Sequence, residues 1–382
     1  MAGRTGAKPV DARAQNLTAV MLRLVNSPTS RSALASQMDL NPGTLTRLVE
    51  QLNSMGLVDE ETAPASGRGR PTKLVSIRPQ ARTTLGVHVG THLISGAVVG
   101  LDGMSGTPIT YGHDGSPEDV ARLVAAVVEH LAAQAPSVIV GVGISVAGWV
   151  DSHVGVVRSH DGLQWRDVPL RQMVVDQLGA SGCMEALRQA RIEVHSAARS
   201  HAHADLLWSE DDLGGTFLHF FVGNVCSVAQ VRKYQVVSPL ARMSGSLTRL
   251  GFVDSAGAWG AFPDLVTDPA VLRRLEGVGD FPDIDAVLAA AAQRAEAEEA
   301  LRWRVLNAGR GCAVLAELFG VNTVVVSGGV GAVERHLPLL DEGAAAAATA
   351  APPRIVPIVG INTAQIPAAA APVIAAFCSQ PA

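Results

Sequence analysis

Aromatic residues are scarce in this chain of 382 residues, at 4% of the sequence, although hydrophobic residues make up 48%. Small aliphatic side chains must therefore form most of the core, and a chain of this length has room for two or three domains. Long apolar runs are also lacking: the nearest, 138–150, is too short to span a bilayer and is interrupted by Gly141, Gly143 and Ser145. The N-terminal residues form no apolar signal segment. We therefore expect a cytoplasmic protein without a membrane partner.

Cysteines are few and far apart. The four of them, Cys183, Cys226, Cys312 and Cys378, form neither a disulfide framework nor a zinc-binding pair, and this pattern suits a reducing compartment. With no Cys-x-Cys pair in the chain, we expect no structural zinc, no other metal site and no cofactor.

A helix with one apolar face is predicted directly after Asn41. Leucine or valine occupies four positions at helical spacing, Leu45, Leu48, Val49 and Leu52. Asn41 is a favourable N-cap, Pro42 suits the first helical position, and Gly56 is a stop signal.

Two further helices are predicted upstream. The first has an apolar stripe, and the second is capped by Ser30 and is followed by a turn at 39–42. Three helices with a tight turn before the third match the helix-turn-helix plan, in which the third helix enters the major groove of DNA. The apolar positions are Leu17, Val20, Met21, Leu24 and Val25 in the first helix, and Leu34, Ala35 and Met38 in the second.

The residues after Gly56 change to a strand pattern. Residues 57–58 and 73–77 read as two short strands, and the loop between them contains the sequence Gly-Arg-Gly-Arg-Pro at 67–71. Arginine pairs with phosphate or fits a narrow minor groove, so the hairpin is interpreted as a DNA-binding wing. The alternative is an ordinary three-helix pack with a solvated basic loop. The candidate DNA-binding residues are Arg31, Thr44, Thr46, Arg47, Gln51, Arg68, Gly69, Arg70 and Lys73.

Charge is distributed unevenly along the chain. Residues 1–80 contain ten basic and six acidic residues, a net charge of +4, whereas the whole chain carries −5 and the remainder therefore −9. A basic head on an acidic body fits a nucleic-acid reader attached to a domain that avoids DNA.

The acidic body alternates strand and helix patterns. Strands are predicted at 84–90, 93–99, 138–146, 216–222 and 324–330, with helical spacing at 117–134 and again up to Leu207. Several of the strands end in glycine turns. This order indicates α/β units around a mixed sheet.

The order of these parts resembles the ROK family of repressors, open reading frames and kinases. The motifs that carry the resemblance are Gly-Arg-Gly-Arg-Pro at 67–71, Leu-Gly-Val-His-Val-Gly at 85–90, Val-Gly-Val-Gly-Ile-Ser-Val-Ala-Gly-Trp-Val-Asp at 140–151, Gly-Leu-Gln-Trp-Arg-Asp-Val-Pro-Leu at 162–170 and Val-Val-Val-Ser-Gly-Gly-Val at 324–330. The resemblance implies an α/β architecture with an N-terminal winged helix-turn-helix, at 1–80, followed at 81–382 by a two-lobed actin-like ATPase or sugar-kinase fold whose lobes meet near residue 200. It also implies a transcription factor that binds double-stranded DNA, is often a dimer or tetramer, and often responds to sugars.

The chain departs from the pattern of the family's kinases where their chemistry lies. His88 stands in place of the aspartate of the phosphate turn, and the asparagine–aspartate pair that carries the general base falls on Ser196 and Ala197. A neutral imidazole does not supply the missing carboxylate, and alanine cannot accept a proton. The sugar-binding Glu-x-Gly-His element falls on 246–249, where its glutamate and zinc-binding histidine are absent.

An effector cleft is the remaining candidate site. Three of its residues also have a structural explanation: Asp161 as a solvated loop acid, His195 as a partly buried histidine, and Asn224 as a turn residue in the left-handed conformation. The candidates are Asp161, Trp165, His195, Ser196, Asn224, Ser246 and Arg249.

The sequence as a whole predicts a DNA-binding transcriptional regulator, with repression the expected sign, and no enzymatic activity. The kinase-like part would sense a sugar or another small-molecule effector, or serve as a dimerisation scaffold that binds nothing. An active ATP-dependent sugar kinase with a DNA-binding appendage is the alternative.

Overall fold

Three helices and a three-stranded sheet form the N-terminal part of the computed structural model, which describes residues 12–62, 73–185, 187–188, 190–237, 245–253, 257–358 and 365–381. The sheet has the order β1-β3-β2, and all of its pairs are antiparallel. The elements are α1 (Ala12–Asn26), β1 (Thr29–Ser30), α2 (Arg31–Gln37), α3 (Pro42–Ser54), β2 (Val58–Thr62) and β3 (Lys73–Ile77).

The predicted caps and apolar stripes are confirmed. The Asn41 side chain accepts a hydrogen bond from the backbone of Gly43, and Ser30 caps α2 by accepting one from Ala33. Asp39, at φ +51°, is the left-handed residue that turns the chain from α2 into α3. The stripes of all three helices meet in one core: Leu17, Val20, Met21, Leu24, Leu34, Leu45, Leu48, Val49 and Leu52 are buried.

The second strand differs from its prediction. It begins at Val58 and continues to Thr62, where the sequence pattern indicated a strand at 57–58 only. Because residues 59–61 are all acidic, the sequence shows no alternation of polar and apolar residues that would predict a strand. In the structure the whole segment pairs in register with β3, from Val58↔Ile77 to Thr62↔Lys73.

The first lobe of the body is a five-stranded sheet of order β11-β7-β4-β5-β6, in which β4, β7 and β11 are parallel. One face packs against α4 and α5, and a small antiparallel sheet of β8, β9 and β10 stands at its edge. The elements are β4 (Thr83–Val89), β5 (Leu93–Val99), β6 (Ile109–Gly112), α4 (Pro117–Gln134), β7 (Ile139–Val146), β8 (Trp149–Asp151), β9 (Val156–His160), β10 (Trp165–Val168), α5 (Leu170–Ser181), β11 (Arg191–Ser196) and α6 (Ala197–Trp208).

The second lobe is another five-stranded sheet, of order β14-β13-β12-β17-β18, with a two-stranded hairpin of β15 and β16 beside it. The long helix α10 packs against it and against α11. The elements are β12 (Thr216–Val222), β13 (Cys226–Arg232), β14 (Gln235–Val236), β15 (Gly251–Val253), β16 (Trp259–Ala261), α7 (Pro263–Val266), α8 (Asp268–Arg274), α9 (Ile284–Ala290), α10 (Ala295–Phe319), β17 (Thr323–Gly328), α11 (Pro338–Ala347), β18 (Arg354–Pro357) and α12 (Gln365–Ser379).

Helix α12 returns from the second lobe and packs on the sheet of the first. Glycines on the strands allow the close approach: a Cβ at Gly86 or Gly143 would overlap the backbone carbonyl of Ile366 or Ala369. The other side of α12 meets α1, and Ile374 and Cys378 belong to the same buried cluster as the N-terminal helices. The N-terminal part therefore packs directly, through α1, on the helix that also packs on the sheet of the first lobe.

No helix within the described ranges is both long enough and apolar enough to traverse a bilayer.

Candidate functional site

The first turns of α3 present the polar side chains that the sequence analysis predicts to read DNA. Thr44 and Thr46 are half-buried and Arg47 is exposed. The Nε atom of Arg47 donates to the carbonyl of Gly43 at 3.2 Å, which holds the guanidinium along the N-terminal half of the helix. That half is the one that contacts base edges in a helix-turn-helix complex.

Other predicted DNA-binding residues are already engaged. Arg31 Nε lies 2.5 Å from Glu60 Oε1, so α2 is tied to β2. The Gln51 Oε1 atom accepts a hydrogen bond from Arg13 at 2.9 Å. Lys73 is exposed at the start of β3. The remaining three predictions, Arg68, Gly69 and Arg70, lie outside the described residues.

A polar row crosses the first sheet where the phosphate turn of a kinase would begin. His88 on β4, Ser145 on β7 and His195 on β11 are cross-strand neighbours and share one face. His88 Nδ1 and Ser145 Oγ are 2.9 Å apart. Burial, with a smaller contribution from nearby His160, lowers the pKa of His88 to about 4, so its imidazole is neutral near pH 7.

The end of β11 carries no carboxylate at the position expected for a general base. Ser196 ends the strand and Ala197, which is buried, begins α6. His195 is also buried; its Nε2 lies 2.9 Å from Glu193 Oε2 and its pKa is lowered, mainly by burial. His195 is thus buried and held by Glu193, so it offers little surface to a ligand.

Trp165 also does not line an open cleft. Its side chain is 3% exposed, and its indole nitrogen donates to the carbonyl of Gly115 at 2.8 Å. Asp161, in contrast, is exposed and lies 3.0 Å from the guanidinium of Arg166. Asp161 is thus accessible to a ligand, whereas Trp165 is a buried residue whose indole is bonded to the backbone at Gly115.

A direct side-chain hydrogen bond joins the two lobes across the cleft. The Asn224 amide, in the turn between β12 and β13, donates to the Thr91 hydroxyl at the end of β4. The Gly162 loop lies beside Thr91 as well. Asn224 and the loop that contains Asp161 and Gly162 therefore both lie next to Thr91.

The last two cleft candidates follow β13 in the second lobe. Ser246 bonds to Thr248 at 2.6 Å and stands in a bridge with Ser227. Arg249 is exposed. The hydroxyl of Ser246 is therefore already hydrogen-bonded within its own turn, and Arg249 is the more accessible of the two side chains.

Sequence reasoning missed a buried arginine in the second lobe. Arg304 on α10 is fully buried; its Nε donates to the Val266 carbonyl at 2.8 Å and its Nη2 lies 2.7 Å from Asp268 Oδ1. A Cβ on Gly329 would stand 2.6 Å from this guanidinium. Arg304 therefore fills the space beneath the Gly-Gly turn after β17. The sequence feature that could have revealed it is a charged residue, Arg304, on the otherwise apolar face of α10.

A second buried network joins the helices that connect the lobes. His219 on β12 lies 2.5 Å from Asp205 of α6 and 2.7 Å from Ser327 of β17. His201 of α6 stacks on His219 and bonds to Gln365, the first residue of α12, at 3.1 Å. Burial, followed by the proximity of His219, lowers the pKa of His201 to about 3.

Within the described ranges, no group of three or more His, Cys, Asp or Glu side chains is arranged to hold a metal ion.

Comparison with known protein sequences gives relatives that include repressors and transcriptional regulators. No protein-family model matches the chain. It is 28% identical over 188 residues to the xylose repressor of Bacillus spizizenii, covering 47% of this chain and 48% of the repressor. It is 26% identical over 345 residues to a transcriptional regulator of Mycobacterium tuberculosis, covering 83% of this chain and 74% of the regulator. The match to the xylose repressor spans about half of that protein.

Solved structures extend the likeness over nearly the whole chain. A ROK family transcriptional regulator, a homologue of the E. coli MLC protein, superposes with a TM-score of 0.69 at 18% identity, covering 96% of this chain and 97% of its own. A ROK family glucokinase from Streptomyces griseus superposes with a TM-score of 0.61 at 18% identity, covering 75% of this chain and 98% of its own. The α/β fold class and the resemblance to the ROK family are therefore confirmed: the chain has the fold of a ROK regulator, with a winged helix-turn-helix before the two lobes.

Proposed function

We propose that the protein is a DNA-binding transcriptional regulator, acting as a repressor. The observation that carries the proposal is the N-terminal half of α3, where Arg47 is exposed and Thr44 half-buried, in a winged helix that packs against α12 of the body. The names of the sequence relatives, xylose repressor and transcriptional regulator, support it. In this proposal residues 1–80 bind double-stranded DNA, and residues 81–382 sense an effector and form a homodimer or homotetramer, with lobes meeting near residue 200.

The same proposal assigns no enzymatic activity to the body. Three features support this: a neutral His88 where a phosphate turn needs a carboxylate, Ala197 where a kinase needs a base, and Arg304 beneath the Gly-Gly turn. The likeness to a glucokinase concerns the fold only, and it is not evidence of catalytic residues at these three positions.

The cleft between the lobes is the proposed effector site. Asp161 is the exposed acceptor on one side, and Asn224 with Thr91 closes the other. Hydroxyl groups of a sugar are suitable partners for such side chains, although the loss of several sugar contacts also leaves room for another small metabolite. A ligand that separates Thr91 from Asn224 would change the angle between the lobes, and α12 would transmit the change to α1.

The test is selection of duplexes from a random DNA library with the full chain, followed by fluorescence anisotropy on a selected duplex. The proposal predicts enrichment of a two-fold repeat, weakened binding for Arg47→Ala and unchanged binding for Arg122→Ala, a matched control exposed on α4. A coupled assay with ATP and a panel of hexoses tests the kinase alternative, for which we expect no turnover. Failure to enrich any DNA together with hexose phosphorylation would reverse the assignment.

A further inference from the structure

A pocket of about 440 Å³ lies at the opposite end of the first sheet from His88. It opens at the amino ends of β4, β7 and β11, where the last turns of α12 cross them. Its polar lining consists of Arg82, Arg191 and Gln380. Its apolar lining comes from residues 138–140 and from Val373, Ala376 and Phe377.

The charge of this pocket is positive and uncompensated by its own lining. Arg82 and Arg191 contribute two guanidinium groups, and none of the lining residues is acidic. Arg82 donates to the carbonyl of Ala81 and lies 6.0 Å from the centroid of the Phe377 ring. The acid nearest to Arg191 along its strand is Glu193, which attracts Arg191 electrostatically but whose carboxylate is bonded to His195. Among the described residues no carboxylate forms an ion pair with either arginine.

Two guanidinium groups that line one cavity favour an anion that accepts hydrogen bonds from both. The guanidinium groups present planar pairs of donors that match a carboxylate. The wall of valine, alanine and phenylalanine beside them would cover an apolar body. We propose that this Arg82–Arg191 pocket binds a small organic carboxylate with a ring-sized apolar body, at a site separate from the cleft between the lobes.

The position of the pocket links it to the N-terminal helices. Its walls include Ala376, Phe377 and Gln380, and between them the carbonyl of Ser379 accepts a hydrogen bond from Thr18 of α1 at 3.1 Å. A bound carboxylate would fix the last turn of α12 and with it the mounting of α1. This consequence for DNA affinity rests on the proposed function, whereas binding of the carboxylate does not.

The experiment is ¹⁹F NMR of 4-fluorobenzoate with the full chain, with neutral 4-fluorobenzamide as the matched ligand. We expect the benzoate line to broaden and shift, the benzamide line to stay unchanged, and Arg82→Gln/Arg191→Gln to weaken binding by about tenfold or more, because charge-assisted hydrogen bonds are lost. Arg188→Gln, an exposed arginine that pairs with Glu185 outside the pocket, is the control and should bind as the wild type does. Circular dichroism of each variant checks the fold.

Absence of broadening in the wild type, or equal binding by benzoate and benzamide, would overturn the proposal. So would an unchanged affinity in the double variant. Each arginine is also replaced singly, so that affinity can still be measured on two variants if the double variant misfolds.

Fluorescence anisotropy with the selected DNA duplex, with and without 4-fluorobenzoate, then tests whether carboxylate binding changes DNA affinity. Failure to bind any DNA would contradict the proposed function and leave the NMR result standing.

Discussion

The hydroxyl of Thr18 donates to the carbonyl of Ser379, joining α1 of the winged helix to the last residue of α12 at 3.1 Å. At the C-terminal end of α1, Asn26 donates to the carbonyl of Ser209, just after α6, at 3.0 Å, and the buried residues of α1 and α12 form one cluster. The N-terminal three-helix part is thus attached directly to the helix that packs on the sheet of the first lobe. Changes that displace α12 should therefore alter the packing of both the first sheet and the N-terminal helices.

Replacing Gly143 by alanine tests this attachment. The new Cβ would overlap the Ala369 carbonyl, and overpacking of this kind costs about 1–3 kcal/mol. We expect a lower melting temperature and weaker binding to the selected duplex. Gly179→Ala in α5 is the control, because no heavy atom lies within 4 Å of the position that its Cβ would take, and there we expect stability unchanged or slightly raised. Equal melting temperatures for the two variants would show that α12 tolerates displacement.

Acid should weaken the molecule through His201. The pKa of His201 is lowered from an ordinary 6.5 to about 3 in the folded chain, mainly by burial. Because the unfolded chain binds the proton more readily, the stabilisation is complete above pH 6.5 and is lost as the pH falls toward 3. Urea denaturation at a series of pH values should show the midpoint falling over that interval. His201→Gln removes the titrating ring and should make the fall shallower; an identical slope would rule out His201 as a contributor.

The buried pair of Arg304 and Asp268 should behave as a unit. Arg304→Met leaves the Asp268 carboxylate buried without its counter-charge, and removing one partner of a buried pair costs about 3–5 kcal/mol. Adding Asp268→Asn should recover part of the lost free energy of unfolding. Arg302→Met, an exposed position on the same helix, is the control and should change little. If the two changes destabilise additively, the pair is not coupled.

The sequence predicted the winged helix well because its signals are local. Helical spacing and the caps at Ser30 and Asn41 lie within a few residues of one another, and the structure reproduces them. Apolar runs likewise predicted the strands β4, β5, β7, β12 and β17 of the body, and the resemblance predicted its two-lobed fold. The acidic strand β2 was underestimated because it lacks an alternating face.

The burial of individual cleft candidates could not be predicted from the sequence, because burial is a tertiary property. The sequence cannot show that the indole of Trp165 reaches Gly115, fifty positions away, or that His195 is buried and bonded to Glu193. Arg304 and Asp268 are separated by 36 positions and meet only when α10 packs on the second lobe. The pocket at Arg82 and Arg191 depends on α12, whose alanine-rich sequence carries no chemical signal.

The central claim, that this chain binds DNA through α3 and its wing, is tested most directly by the salt dependence of binding to the selected duplex. The logarithm of the association constant should fall linearly with the logarithm of the salt concentration, with a slope of about −0.9 for each phosphate contact. Arg68→Ala/Arg70→Ala should weaken binding and flatten that slope by up to about two units. The matched double variant Arg122→Ala/Arg188→Ala, on the body, should leave both unchanged. An affinity and slope that are the same in the wing variant as in the wild type would contradict the account.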